Sequence, residues 1–261
     1  MLGTVQVQAL PIPPNLLGIP GVQPLELEVA SASDLGPRMR RIELTAPSLA
    51  DFEYQAGQDV MLVLGQAGDR ALSRRYTIRS HDARNKSLEL NVVAHGVQGI
   101  GALWAANAAP GDRVNGVGPR GKIYVNPSAD WHLFLGDDTA GPVTLNMIEA
   151  LPADTPAFGF VEVTDDEDVL PFQRAGQHQV TWLYRGATPA QSSTLLREAL
   201  QAFELPAGRG QVYLNGEVLL VSDLKRAALE RGLDAEQVSF KAYWGRGKAN
   251  AVNGEPEQRP T

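Results

Sequence analysis

The stretch Lys122-Ile123-Tyr124-Val125-Asn126-Pro127-Ser128-Ala129-Asp130-Trp131-His132-Leu133-Phe134-Leu135 decides the fold, because the rhythm of the chain changes inside it. Before Pro127, apolar residues come in short alternating runs; beyond it, strand-like runs take turns with helical ones. Upstream, Leu25-Glu26-Leu27-Glu28-Val29 and Arg41-Ile42-Glu43-Leu44-Thr45 alternate apolar and polar residues, the period-2 mark of a strand with one wet face. Residues 60–64, 75–79, 88–93 and 122–125 add further short candidates, with Gly-, Pro- and Asp-rich breaks between them. Six such strands predict a small antiparallel β-barrel, with one helix from about Ile100 to Ala108 that Ala109-Pro110-Gly111-Asp112 ends.

Downstream, His132-Leu133-Phe134-Leu135 precedes a helical stretch from Ala140 to Leu151. Strands follow at 157–163, 180–184, 211–214 and 238–243, with helices predicted from about Ala190 to Phe203 and from Glu217 to Arg231. Leu196, Leu200 and Phe203 share a face of the first of these, and Leu220, Leu224 and Ala228 a face of the second. Strands alternating with helices predict a three-layer α/β domain with a parallel sheet covered on both faces. The expected fold is therefore β + α/β, a six-stranded antiparallel barrel followed by a parallel α/β domain. The expected division is an extension over residues 1–23, the barrel over 24–128, the α/β domain over 129–250 and a disordered polar tail over 251–261. Ligands of the second domain are expected at the C-terminal ends of its strands, facing a cleft beside the barrel.

Composition narrows the chemistry. A chain of 261 residues with 43% apolar content holds two ordinary domains with real cores. A net charge of −7 argues against broad nucleic-acid binding, which needs a basic face. With no cysteine there is no disulfide, thiolate nucleophile or iron–sulfur cluster held by this chain. Pro11, Pro13, Pro14 and Pro20 break any signal helix near the start, and no apolar run approaches the ~20 residues that span a bilayer. A cytoplasmic protein without membrane insertion is the expectation. His81, His95, His132 and His178 lack metal-ligand spacing, so no metal is expected on protein ligands.

The string Gly116-Val117-Gly118-Pro119-Arg120-Gly121 matches the dinucleotide fingerprint in letters only. That fingerprint needs a strand before it and a helix after it, whereas Lys122-Ile123-Tyr124-Val125 reads as a strand. A barrel turn is the expected role.

Arg74-Arg75-Tyr76-Thr77-Ile78-Arg79 carries more information. On a strand, Arg74, Tyr76 and Ile78 face one way, and Arg75, Thr77 and Arg79 the other. A flavin dinucleotide needs a cation for its pyrophosphate, a flat surface for its ring and polar groups for the ring edge. Arg74 and Tyr76 can address one such ligand together, with the Thr77 backbone at the flavin edge; the guanidinium fork matches phosphate oxygens. The competing reading is a barrel strand with snorkelling arginines, and these residues alone leave both open. Next, Ala94-His95-Gly96-Val97-Gln98-Gly99-Ile100-Gly101 opens a helix with glycine-rich backbone, whose free N–H groups suit an anion beside Arg74. Read alone, the stretch is a flexible turn, and His95 a hydrogen-bonded structural histidine.

Several motifs resemble a known family in its order. They are Pro37-Arg38-Met39-Arg40-Arg41, the Arg74–Arg79 segment, His95-Gly96 leading to Trp104-Ala105, Pro110-Gly111-Asp112 and Gly118-Pro119-Arg120-Gly121. Gly136-Asp137-Asp138-Thr139-Ala140, Gly216-Glu217 and Tyr243-Trp244-Gly245-Arg246-Gly247 complete the series, which spans about Leu25 to Asn250. Together they resemble the siderophore-interacting proteins, FAD-dependent ferric-siderophore reductases of the wider ferredoxin-reductase-like group.

The resemblance implies an FAD-binding barrel and an α/β domain that takes NADPH or NADH. It implies FAD contacts from Arg74, Tyr76, Thr77, Arg79 and His95, with Gly99, Gly101 and Ala102 at the pyrophosphate. It places Asp137, Thr139, Ala140 and Glu217 at the nicotinamide nucleotide, and Tyr243, Trp244, Arg246 and Lys248 near the substrate, with Arg185 and Lys122 as further basic candidates. The implied reaction passes a hydride from NAD(P)H to flavin and single electrons to ferric iron inside its chelator, without a separate acid–base catalyst. A monomer is expected. Departures from the family pattern are Ile100 for Pro, Asp138 for Glu, Gly141-Pro142 for Leu-Pro, Tyr213 for Trp and Gly245 for Arg. Two alternatives stay open here: a general NAD(P)H:flavin oxidoreductase with another acceptor, and a non-redox ligand-binding module.

Overall fold

The computed structural model describes residues 9–94 and 99–245, and the chain divides after Lys122 into two compact units, each with its own sheet. The first unit contains β1 (Gln23–Asp34), β2 (Met39–Thr45), β3 (Asp59–Ala67), β4 (Arg70–Thr77), β5 (Ser80–Asp82), β6 (Ser87–Val93) and β7 (Arg113–Arg120). Helix α1 (Ile100–Asn107) lies between β6 and β7 in sequence. The strands form one antiparallel sheet in the order β4-β3-β7-β1-β2-β6-β5. Its two edge strands, β4 and β5, are one stretch of chain. Between them, the Ile78 amide donates to Gln58 O on the β3 side (3.0 Å), and the Arg79 amide to Glu89 O on β6 (2.8 Å). A single corner therefore joins both edges of a sheet that curls into a half-barrel.

The period-2 pattern sets which way each strand faces. Leu25, Leu27 and Val29 are buried while Glu26 and Glu28 are exposed, and Ile42, Leu44, Val60, Leu62, Leu88, Leu90 and Val92 join the same core. Two expectations need correction. The sheet has seven strands, not six, and residues 122–125 form none of them. The strand lies just upstream, as β7, and includes most of the fingerprint look-alike. Gly116 and Gly118 sit within it because the neighbouring strand comes very close. A Cβ on Gly116 would lie 2.5 Å from Met61 O, and one on Gly118 would lie 2.8 Å from Val60 Cγ1. These glycines allow strand packing rather than a turn or a phosphate cradle.

The second unit is a parallel five-stranded sheet of β8 (Trp131–Asp137), β9 (Ala157–Val163), β10 (His178–Tyr184), β11 (Gly210–Glu217) and β12 (Val238–Trp244). Helices α2 (Gly141–Glu149), α3 (Leu195–Ala202) and α4 (Val218–Glu230) connect them. The strand order is β10-β9-β8-β11-β12, so the direction of winding reverses between β8 and β11. Every residue of β8 and β11 is buried, as expected of central strands covered on both faces. Leu133, Leu135, Val212 and Leu214 pack with Leu196 and Leu200 of α3 and with Leu220, Leu224 and Ala228 of α4. On the alternate positions, Phe134 and Tyr213 stack at 4.6 Å with His132 beside them, and the Tyr213 hydroxyl accepts from the Asn126 amide (2.9 Å).

Helix α3 begins at Leu195, five residues after the predicted start. Ser193 explains the delay: its hydroxyl donates to Glu162 Oε2 (2.6 Å) and accepts from the Leu195 amide (3.3 Å). Such hydroxyls compete with the helical backbone and favour helix starts over helix interiors. The polar tail over 251–261 lies outside the described residues. Among the described residues no helix is long and apolar enough to cross a membrane.

Candidate functional site

In the first unit, strand alternation separates two neighbouring arginines. Arg75 forks onto Asp59 of β3, with Nε donating to Oδ1 (2.8 Å) and Nη2 to Oδ2 (2.6 Å). This pair ties two strands together and spends the guanidinium on the frame. Arg74 and Tyr76 face the other side, under α1. Arg74 Nη1 donates to Ser73 O (2.6 Å), but Nη2 is buried without a partner, and so is the Tyr76 hydroxyl. Burial lowers the Arg74 pKa and pushes the Tyr76 phenol well up, keeping Tyr76 a neutral O–H donor.

Helix α1 covers these two side chains at close range. The Tyr76 ring stacks on Trp104 with centroids 5.5 Å apart. A Cβ on Gly101 would lie 2.6 Å from Tyr76 Oη and 3.3 Å from Arg74 Cγ, so glycine is what lets the helix come down. Gly99 is the N-cap and no side chain caps it, which leaves the first amides of the helix, including those of Gly101 and Ala102, without intrahelical acceptors. Ile100 fills the space over Gly65 of β3, where any Cβ would overlap its Cδ1. Among the described residues the group presents a cationic fork, a phenol and helix amides outside the intrahelical ladder, all of which can donate. That donor set fits the pyrophosphate of a dinucleotide.

Thr77 ends β4 opposite Asp59, and Arg79 belongs to the corner that joins both edges of the sheet. His95 lies outside the described residues, as do Arg246 and Lys248.

In the second unit the predicted residues gather at the C-terminal ends of β8, β11 and β12, where the winding reverses. Their centre is Asp137, which is fully buried. Its Oδ1 accepts from the Thr139 amide (3.0 Å) and hydroxyl (2.5 Å); its Oδ2 accepts from the Glu217 amide (2.8 Å) and Trp244 Nε1 (2.9 Å). Burial, with the nearby Asp138 carboxylate, pushes its pKa up to about 7 against these four donors. Gly216 has φ +133°, and a Cβ there would lie 2.7 Å from the Asp137 carboxylate, which explains the Gly-Glu pair. Glu217 caps α4, its Oε2 accepting from the amides of Leu219 (2.6 Å) and Leu220 (3.1 Å). Asp137, Thr139, Glu217 and Trp244 thus form one network, with Ala140 buried beside it in the turn over Asp138–Ala140. Tyr243 points its ring toward Lys241 (5.6 Å from Nζ) instead.

Arg185 was expected near a basic substrate pocket. It is instead locked at the ends of β9 and β10, donating to Asp138 Oδ2 (2.9 Å) and lying 3.9 Å from Glu162 Oε1. Its charge is answered by two buried carboxylates, so it recruits no anion. Glu162 was not singled out by sequence reasoning, although a charged residue inside Phe158-Gly159-Phe160-Val161-Glu162-Val163 was a usable sign. Burial raises its pKa. Lys122 is exposed. Among the described residues no group of three or more His, Asp or Glu side chains is arranged to hold a metal ion.

Two family models match this chain. One, described as a siderophore-interacting FAD-binding domain, matches residues 66–123, and the other, a siderophore-interacting protein model, matches residues 129–247. The solved structure of a siderophore utilization protein from T. fusca is 32% identical, with a TM-score of 0.78 over 89% of this chain and 96% of that one. The chain belongs to the siderophore-interacting protein family. Among curated relatives, an uncharacterized protein of Mycobacterium tuberculosis is 33% identical over 69% of this chain and 67% of its own length. The ferric vibriobactin reductase of Vibrio cholerae is 27% identical over 87% of this chain and 91% of its own length.

Three departures from the siderophore-interacting pattern have a local account. Ile100 packs α1 onto Gly65, and Tyr213 uses its hydroxyl to hold Asn126. Gly141 opens α2 in a tight space, where a Cβ would lie 3.1 Å from Leu170 Cδ1.

Proposed function

We propose that this protein is an FAD-dependent reductase that passes electrons from a pyridine nucleotide to a ferric siderophore, which then gives up its iron as the ferrous ion. The observation that carries the reading is the pair of buried, unpartnered donors on Arg74 and Tyr76 beneath the free amides of α1. They lie within the span that matches the family's FAD-binding domain.

Arg74 would hold the pyrophosphate together with the amides at Gly99, Gly101 and Ala102, and Tyr76 would donate its O–H to the same ligand. Thr77 would meet the flavin edge through its backbone, with Arg79 and His95 alongside. Bound FAD supplies the exchange between a two-electron hydride donor and a one-electron iron acceptor. In the second unit, the reversal point beyond β8 and β11 would take the nicotinamide nucleotide, at the turn carrying Thr139 and Ala140. Asp137 would act there through the backbone it fixes, because both of its oxygens already serve protein donors, and Glu217 would fix the start of α4 with Oε2. Tyr243 and Trp244, with Arg246 and Lys248 following them in sequence, are the substrate-end candidates. The protein would work in the cytoplasm as a monomer.

The test is anaerobic stopped-flow oxidation of the reduced flavoprotein by ferric siderophores. Reoxidation that is faster than with no iron chelate is expected. Equal rates with and without the chelate would reject the iron-reductase reading, and failure to take up FAD at all would favour a non-redox binding module.

A further inference from the structure

Arg40 of β2 lies at the far end of α1 from the proposed flavin site. Its Nη1 donates to Ala105 O (2.8 Å) and to Ala106 O (2.8 Å). These carbonyls belong to the last turn of the helix, where no intrahelical amide reaches them. The Ala108 amide takes the Trp104 carbonyl instead, and Asn107 takes that of Leu103 through its side chain. Arg40 Nε lies 3.1 Å from Asp34 Oδ1, an ion pair without hydrogen-bond geometry, so the grip on the helix comes from Nη1. A cation forked onto the negative end of a helix is the favourable arrangement for the peptide dipoles.

An eight-residue helix has little stability of its own, so its height and tilt depend on what grips it. Ile100 on Gly65, Trp104 on Tyr76 and Ala105 in the core pack its body, and two further grips act at its ends. At the N-terminal end, Gly101 rests on Tyr76 and Arg74 with no room for a Cβ. At the C-terminal end, Arg40 ties the last carbonyls to β2. The two grips hold opposite ends of the same two turns of helix.

We propose that Arg40 is a positioning residue for the dinucleotide: by holding the C-terminus of α1, it sets the place of the N-terminal amides that meet the pyrophosphate beside Arg74. This rests on the flavin reading above. It concerns a residue that does not touch the flavin, and it assigns a role to one arginine of the Pro37–Arg41 segment.

The test compares FAD affinity of the full-length apoprotein for wild type, Arg40→Ala, Arg40→Lys and Arg74→Ala, by quenching of flavin fluorescence, with urea unfolding measured in parallel. Arg40→Ala is expected to bind FAD about tenfold more weakly, within the usual range for coupled sites. Arg40→Lys is expected to recover part of the loss, because it keeps the charge and loses the planar fork. A purely structural role would lower the urea midpoint and leave the dissociation constant of the folded protein alone, since the unfolded fraction stays small. An Arg40→Ala affinity within twofold of wild type, with Arg74→Ala clearly weakened, would overturn the positioning role and spare the flavin reading. Wild-type affinity in both variants would overturn the flavin reading itself. If Arg40→Ala does not fold, Arg40→Gln takes its place, keeping an amide donor without charge, and the same two outcomes decide.

Discussion

The two candidate sites treat the polar groups at their centres in opposite ways. Under α1, Arg74 Nη2 and Tyr76 Oη are buried with their hydrogen bonds unmade. At the ends of β8, β11 and β12, the Asp137 carboxylate accepts four hydrogen bonds from its own chain, and Glu217 accepts two. An unmet buried donor costs free energy that only a ligand can return, whereas a saturated carboxylate has nothing left to offer one. On the proposed reading, the first site would therefore bind with its side chains, and the second would shape the backbone that binds. Both sets of residues look equally functional as letters. What separates them is whether their hydrogen-bonding capacity has already been spent.

The strongest attempt to break this comparison is Asp137→Ala. Removing the carboxylate strands the Glu217 amide, the Thr139 pair and the Trp244 indole N–H together. A loss of about 3 kcal/mol in unfolding free energy is expected, read by urea denaturation. A variant as stable as wild type would show that the network is incidental. Arg74→Ala should behave in the opposite manner. It removes an unpaired buried donor, so the apoprotein should keep its midpoint, while FAD affinity falls about 10- to 100-fold, as for loss of a charge-assisted hydrogen bond of about 1.5–3 kcal/mol. Unchanged FAD affinity would reject Arg74 as the pyrophosphate cation. Glu217→Ala removes only the cap of α4 and should cost about 1 kcal/mol. Glu217→Gln, which keeps an acceptor oxygen, should lose less than Glu217→Ala in the same unfolding measurement.

The smallest effect is in pH dependence. With a folded pKa raised to about 7, Asp137 keeps a proton that the unfolded chain gives up near 3.8. Its contribution to stability is full below that lower value and is lost as pH rises through about 7. His132, which burial lowers to about 4 from 6.5, acts the other way: its contribution is present above 6.5 and lost as pH falls toward 4. The two oppose each other between about pH 4 and 6.5, and Asp137 acts alone just above. Urea midpoints taken from pH 5.5 to 7.5 should fall more steeply in His132→Phe than in wild type, and less steeply in Asp137→Asn. Parallel profiles for all three would remove Asp137 and His132 as the titrating groups.

Much of the fold could be read from local pattern. The alternation at Leu25–Val29 and Arg41–Thr45 gives the inward and outward faces of β1 and β2, and the leucine spacing in α4 gives its buried face. What could not be read is whatever depends on a neighbour from elsewhere in the chain. Strand β7 was hidden because Gly116, Gly118 and Pro119 look like a turn; the closeness of Met61 and Val60 is what makes glycine the fitting residue. The late start of α3 depends on Glu162, 31 residues upstream of Ser193.

The candidate sites divide along the same line. Sequence alone determined that Arg74 and Tyr76 share a face opposite Arg75, because a strand alternates, and that a glycine-led helix start follows them. It also determined the family, through motifs whose order survives large changes in the residues between them. Only the tertiary structure decided which charged groups are free to bind. Asp137 is answered by donors 80 and 107 positions away, Arg185 by a carboxylate 47 positions away, and the carbonyl end of α1 by an arginine 65 positions before it. Hydrogen bonds are satisfied in space, at about 3 Å, and the order of residues does not record that distance.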